Sequence, residues 1–461
     1  MQEGGPRAEL ADDLAAIEML ALRPVHSAEE LAANLNEVYD AVFNVNFDRY
    51  DVHVLAKSAP DLMRAIFVLR LRIHEQIPDW FKRDLMSLSV QRGIRNVFRV
   101  GRYATDMLGE LNNGYMQLAP DEKTMRAFRG AKLNTLINPA FETGQDIPFQ
   151  AGDLLLTRGM HHNSAAIARI GDVDSQFSHI AVIHTDENGK LWVVESLIEK
   201  GAVISSLDDA LHHGLGRCVI YRHNNAAFAR LAAAQIYDVV QRSRGRGGRR
   251  IWYDFSMKLN GYKELFCSKL VRQAFDLASE GKVMLPTFKT CFDMKNRDFI
   301  ERIGVRTKET FAPADIELEP HFDLVAEWRD YRVTSRLRLQ DLLMDKLFAW
   351  MDAYGYKFHE DLPIRLIGIF GRLSSRLSER TRALVADVLP DVPPNMRRRT
   401  IQAVAMLHKT AEPLLADLQE LEQQSIDRYG RPLHARQVFE HLECVRQASN
   451  GRIGYLGTSR I

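Results

Sequence analysis

Phe177-Ser-His-Ile-Ala-Val-Ile183, the turn Asp186-Glu-Asn-Gly189 and Leu191-Trp-Val-Val-Glu-Ser196 form the stretch on which the fold is decided. Two apolar runs flank an Asn-Gly pair, the pattern of an antiparallel hairpin. Each run carries one ionisable side chain in apolar surroundings, His179 in the first and Glu195 in the second. A buried imidazole costs desolvation unless its ring nitrogens are paired, and a neighbouring buried carboxylate is a natural partner. Because strand side chains alternate faces, the hairpin register decides whether the two can meet. With a two-residue Asn188-Gly189 turn, Glu187 pairs with Lys190, and Glu195 falls opposite residue 182 on the face away from His179. With a three-residue Glu187-Asn188-Gly189 loop, whose glycine takes the left-handed bulge position, Asp186 pairs with Lys190. Glu195 then lies opposite Ala181, one diagonal step from His179. A base-and-carboxylate reading requires this second register or another of the same parity.

Outward from the hairpin, β-rich runs recur at Asp153–Thr157, Phe177–His184, Leu191–Leu197, Arg217–Tyr221 and His321–Trp328, with helical stretches at Ala226–Arg242 and Cys267–Ser279 among them. This predicts an α+β unit over residues 146–332. Helical periodicity fills the region before it, 1–145, through AELADDLAAIEMLAL and DLMRAIFVLRLRIHEQI. There the helical character runs from about residue 9 to 135, with turn signals at His26-Ser27 and Ala59-Pro60. It returns over 333–461 through SRLRLQDLLMDKLFAWMDAY and TIQAVAMLHKTAEPLLADLQELEQQ. The expected class is α+β, an antiparallel sheet with helices, flanked by two helical regions that pack on the core and partly cover its cleft.

Composition bounds the function. The chain has 461 residues, 46% hydrophobic and 26% charged, and its 61 Lys+Arg against 60 Asp+Glu leave a net charge of +1. That balance excludes a disordered chain and argues against a protein that tracks nucleic-acid phosphates over its whole surface. The start, MQEGGPRAELADD, is acidic and polar and lacks a classical export signal. No apolar run is long enough to predict a membrane-spanning helix. Cys218, Cys267, Cys291 and Cys444 are too few and scattered for a disulfide framework. Together these features predict a cytoplasmic protein, with signal-independent secretion left open.

Cys267 opens the apolar-periodic stretch CSKLVRQAFDLA. A cysteine thiol has an ordinary pKa of about 8.5 and needs a stabilising environment to act as a nucleophile. A helix N-terminus, with unpaired N–H groups and the positive end of the dipole, supplies one, together with oxyanion donors. Alone, Cys267 reads first as a small buried hydrophobe, and a structural ion pair of His179 with Glu195 would look the same in sequence as a catalytic one.

Four features occur together: GDLLLTRG at Gly152–Gly159, FSHIAVI at Phe177–Ile183, LWVVES at Leu191–Ser196, and YDF followed by FCSKLV at Phe266–Val271. As a set they resemble the permuted papain-fold cysteine hydrolases, the YiiX and YebB-like branch of the NlpC superfamily. In that group a histidine on an early strand precedes the cysteine that opens a later helix. The resemblance implies a permuted papain-like core with Cys267 as nucleophile, His179 as base and Glu195 as the polar third member. It implies hydrolysis of an amide, ester or thioester through an acyl-enzyme, on a peptide, lipid or small amide, with no cofactor. The alternatives are acyl transfer of the lecithin retinol acyltransferase-like type and a non-catalytic papain-fold interaction protein. Peptidoglycan hydrolysis fits poorly without an export signal. Relatives usually read Cys-Ser-Glu-Leu where this chain has Cys267-Ser268-Lys269-Leu270, so Lys269 stands in place of a carboxylate.

Other candidates carry less. His161-His162 and His212-His213 lack a sequence partner at ligand spacing, so no metal is expected. Arg242, Arg244, Arg246, Arg249 and Arg250 crowd a glycine-rich loop suited to an anionic surface, a pattern shared with solvated loops. Cys218, Cys291 and Cys444 read as packing residues. The basic, apolar segment Ile364–Leu377 fits a membrane surface or a helix packed on the core, and packing is the expected reading.

Overall fold

The structure is a computed structural model that describes residues 10–45, 49–115, 126–130, 134–142, 147, 149–212, 214–374 and 392–458. Its centre is a seven-stranded antiparallel sheet. The strands are β1 (Thr135–Ile137), β2 (Leu154–Gly159), β3 (His179–Thr185), β4 (Leu191–Leu197), β5 (Gly201–Ser206), β6 (Leu215–His223) and β7 (Phe322–Arg329), in the order β1-β7-β6-β2-β3-β4-β5. The α+β class is as expected. Two strands escape the sequence reading. β1 lies at the end of a region expected to be helical, and at three residues it is too short to show alternation. β5 begins with a glycine at φ +67°, a poor strand former.

Helices α1 (Leu10–Ala21), α2 (Ala28–Phe43), α3 (Val52–Lys82) and α4 (Leu88–Tyr115) precede the sheet. Ser27 caps α2 by accepting from the Glu30 N–H. The Ala59-Pro60 signal does not end a helix, for Pro60 lies inside α3. Proline lacks the N–H that would bond the carbonyl four residues back. That carbonyl, on Ala56, instead accepts from Asn112 Nδ2 of α4 at 2.8 Å, so a packed neighbour repairs the break.

Within the central region lie α5 (His162–Arg169), α6 (Leu207–His212), α7 (Ala226–Arg244), α8 (Cys267–Ala278) and α9 (Asp298–Ile303). One sheet face, bearing Leu154, Leu156, Ile180, Val182 and Val194, shares a core with α7, α8 and the α3 residues Leu62, Met63, Ile66 and Phe67. The other, bearing Leu155, Ala181, Ile183 and Val193, is covered by Leu207 and Leu211 of α6 and by Phe128. After the sheet come α10 (Thr334–Tyr354), α11 (Leu362–Ser374), α12 (Arg398–Tyr429) and α13 (Ala435–Ala448), which share a core with α5 and α9.

Charges cross these cores. Glu327, fully buried on β7, pairs with Arg70 of α3 and with Arg329. Burial alone would raise its pKa, but the charges of Arg70, Arg329 and Arg102 outweigh that and hold the carboxyl far below the usual carboxylate range. Its contribution to stability is therefore present above the ordinary carboxylate pKa and is lost only as strong acid protonates the native state. Replacing Glu327 with leucine leaves buried guanidiniums uncompensated and should cost about 3–5 kcal/mol. The urea midpoint at neutral pH measures this; a loss below about 1 kcal/mol would show that the pairs contribute little.

Candidate active site

The hairpin adopts the three-residue loop. Val182 pairs with Val194, Ile183 with Val193, His184 with Trp192 and Thr185 with Leu191, and the next step of this ladder sets Ala181 opposite Glu195. The Asp186 N–H donates to the Lys190 carbonyl at 3.0 Å, and Gly189 sits at φ +77°, where a β-carbon is costly. The turn is held locally too, since Asp186 accepts from the backbone N–H of Asn188 and of Lys190 and from Trp192 Nε1. The resulting parity puts His179 Nε2 2.8 Å from Glu195 Oε2, while Glu195 Oε1 accepts from the Ser205 hydroxyl at 3.2 Å.

With Nε2 committed to Glu195, Nδ1 is the imidazole nitrogen left for Cys267, whose thiol is near enough to His179 for each to shift the other's pKa. Cys267 is the first residue of α8, preceded by Phe266 as N-cap. The Ser196 hydroxyl of β4 donates to the Leu265 carbonyl at 2.6 Å, clamping the lead-in to α8 against the sheet. Burial raises the Cys267 thiol's pKa. The hydrogen bond and charge of His179, the Ile180 N–H and the Ser268 hydroxyl 3.9 Å away outweigh burial and bring it below the ordinary thiol value. His179 is the converse: burial lowers its pKa, and Cys267 and Glu195 together raise it to about 10. Each group therefore favours the charged form of the other.

Lys269 does not face the cleft. It is buried, with Nζ 2.7 Å from Asp254 Oδ2 and 3.2 Å from the Asn260 carbonyl. A lysine in the first turn of a buried helix demands a carboxylate, and the YDF motif supplies it from fifteen residues upstream. Sequence reasoning noted both motifs without pairing them. The other supporting residues it missed, Ser196 and Ser205, carry no local signal, because a strand serine reads as solvent-facing.

His179 and Glu195 line a cavity of about 850 Å³ together with Thr157, Ser178 and Tyr253. A second cavity of about 360 Å³ adjoins it, sharing Asn163, Ile167, Ile198, Glu199 and Tyr253 and otherwise lined mostly by apolar residues such as Phe255, Ile367 and Ile401, with Thr400 and His408 among them. The expectation that the flanking helices cover the cleft is corrected in part. Among the described residues, those lining the larger cavity all lie between Leu155 and Tyr253, whereas α11 and α12 border only the smaller one. Asn395, just before α12, does reach the site's wall by donating to the Tyr253 carbonyl at 2.8 Å.

The weaker candidates separate in space. Arg244 and Arg250 donate to backbone carbonyls at Lys200 and Ala202, and Arg250 also stacks on Trp252, so part of the arginine loop is bound into the β5 hairpin. His162 has partners that its sequence surroundings do not reveal: His408 and Glu412 of α12 bring their ligand atoms within 4.8 Å of it and of one another. Glu412 there already accepts from Arg336 and bonds His162. His213 lies outside the described residues, as do residues 1–9 of the acidic start and residues 375–377 of the basic segment. Cys218 is fully buried in β6 and its thiol is pushed up by burial alone. Cys444 is exposed and is no packing residue.

Residues 148–326 match the model of a family described as permuted papain-like amidase enzyme, YaeF/YiiX, C92 family, so the resemblance read from the motifs holds over that segment. No curated protein and no solved structure matches the chain. His179 brings the Cys267 thiol below the ordinary thiol value. Alkylation by iodoacetamide, followed by mass spectrometry across pH, should titrate Cys267 below the ordinary thiol midpoint of about 8.5. His179→Gln should move the Cys267 midpoint up by about one unit or more; an unchanged midpoint would mean that His179 does not hold the thiolate.

Proposed function

From the match of residues 148–326 to that amidase family, we propose that this protein is a cysteine hydrolase that cleaves an amide, ester or thioester through an acyl-enzyme on Cys267. One observation carries the reading: a single imidazole hydrogen-bonds a buried carboxylate and lowers the pKa of a buried thiol at a helix N-terminus, beside a cavity of about 850 Å³. The Cys267 thiolate attacks the substrate carbonyl. The electron pair of the carbonyl moves to oxygen, where N–H groups of the first turn of α8 stabilise it. As the tetrahedral species collapses, the imidazolium of His179 gives its proton to the leaving nitrogen, oxygen or sulfur. His179, now neutral, takes a proton from water, and the hydroxide formed attacks the thioester and releases the acid and the thiolate. Glu195 accepts from Nε2 throughout, which keeps Nδ1 directed at the sulfur and favours the charged ring.

The chemistry predicts a bell-shaped pH profile. Activity falls on the acid side as the thiolate is protonated, and on the alkaline side as the His179 imidazolium, raised to about 10, loses its proton. Cys267→Ala should lower turnover of p-nitrophenyl esters or acyl p-nitroanilides by about 10³-fold or more with the fold intact. Glu195→Gln should cost activity while leaving Cys267 in place. Turnover of the Cys267→Ala protein at the wild-type rate would eliminate the mechanism.

A further inference from the structure

The segment around α11 is used by neither the sheet nor the cleft. The helix has two opposite faces. Gly368 and Gly371 turn toward α12, where a β-carbon on Gly368 would meet Gln402 at 2.7 Å and one on Gly371 would meet Ile401 at 3.0 Å. Ile364, on the same side, is fully buried. The other face carries Leu362 (68% exposed), Leu366 (42%), Ile369 (46%), Phe370 (55%) and Leu373 (58%). At 100° per residue these five fall within about 100° of arc, a continuous apolar stripe. The packing expected of this segment is thus true of one face only.

Positive charge borders the stripe at Arg365 of α11, exposed and about 40° beyond Ile369 around the helix. Arg397, Arg398 and Arg399 open α12, all exposed, and Arg398 reaches back to donate to the Arg365 carbonyl on α11 at 3.4 Å. Among the described residues none of these four arginines has a carboxylate partner. A contiguous exposed apolar face marks a site of association, and unpaired guanidiniums at its border select what associates. No helix of the described residues is long and apolar enough to cross a membrane, and α11 has 13 residues.

We propose that α11 and the arginines opening α12 dock the protein on an anionic lipid bilayer, with α11 lying in the plane of the interface. The stripe enters the acyl boundary and the guanidiniums engage lipid phosphates, the arrangement by which short amphipathic helices hold a surface. A protein partner would need an apolar groove ringed with carboxylates; an anionic bilayer supplies both chemistries at once. On the inward side, Ile367 of the same helix lines the apolar cavity that adjoins the cleft, so docking brings that cavity close to the lipid.

Co-sedimentation of the full chain with phosphatidylcholine vesicles, with and without about one-third phosphatidylglycerol, tests this. The protein should partition onto the anionic vesicles and come off with added salt. Ile369→Glu with Phe370→Glu, at exposed positions whose replacement leaves the core untouched, should weaken partitioning about tenfold or more. Arg397→Glu with Arg398→Glu should weaken it and flatten the salt dependence. Leu231→Glu, exposed on α7, and Arg246→Glu with Arg249→Glu in the other arginine-rich loop should bind as wild type does. Cys267→Ala should also bind normally, which separates this test from the catalytic one. Absence of wild-type binding, binding unaffected by the α11 substitutions, or binding lost only with the Arg246 and Arg249 pair would overturn the proposal. Self-association abolished by Phe370→Glu, without vesicle binding, would assign the face to a second copy and overturn it too.

Discussion

A carboxylate buried in the middle of a sheet constrains everything packed around it. Glu327 has no access to water, and an unpaired charge there would cost more than the domain's margin of stability. The counter-charge comes from α3, through Arg70, so the helices before the sheet are part of its core. The relay continues. Arg329 and Arg217 share Asp106 of α4, Arg217 and Arg158 approach Asp341 of α10, and Arg338 of α10 pairs with Glu110 of α4 at 2.9 Å and Glu422 of α12 at 2.6 Å. Two groups of buried ion pairs, one around Glu327, Asp106 and Asp341 and one around Arg338, therefore tie helices that precede and follow the sheet in the chain to one another and to one face of the sheet. Removing any one member leaves another charge stranded, which makes the assembly of these elements cooperative.

That rigid frame fixes the ends of the strands, where the candidate chemistry lies. His179 is the first residue of β3, and Cys267 the first of α8, so each sits at the end of an element whose following residues, 180–183 and 268–275, are buried. The hydrogen bonds from Ser196 to Leu265 and from Lys269 to Asp254 immobilise the approach to the cysteine from two sides. Positioning of this kind keeps a thiol and an imidazole in contact without spending side-chain entropy at each encounter. The Lys269–Asp254 pair also explains how the position after Cys267-Ser268 can change charge: it is an internal tie, compensated within the same layer.

The helices that follow the sheet do different work. α10 and α12 share the buried ion pair of Arg338 with Glu422, while α11 and α12 also wall the cavity next to the cleft and α11 exposes an apolar face outward. The two glycines that let α11 approach α12 closely are what turn its large side chains away from the protein.

What the sequence determined by itself is whatever depends on near neighbours. The α+β class, the strands around His179 and Glu195 and the helix opened by Cys267 follow from local periodicity, and the Asn-Gly turn narrows the hairpin to two registers, between which the folded structure chose. Tertiary structure decided the rest, because burial is not a local property. Arg70 and Arg72 stand two residues apart in LRLRI, yet the first is buried against Glu327 and the second is half-exposed. Pro60 reads as a helix end until Asn112 of another helix accepts the role of the missing N–H. His162 gains His408 and Glu412 from a helix some 250 residues away. In each case the deciding partner comes from a distant part of the chain, and only packing brings it within hydrogen-bond range.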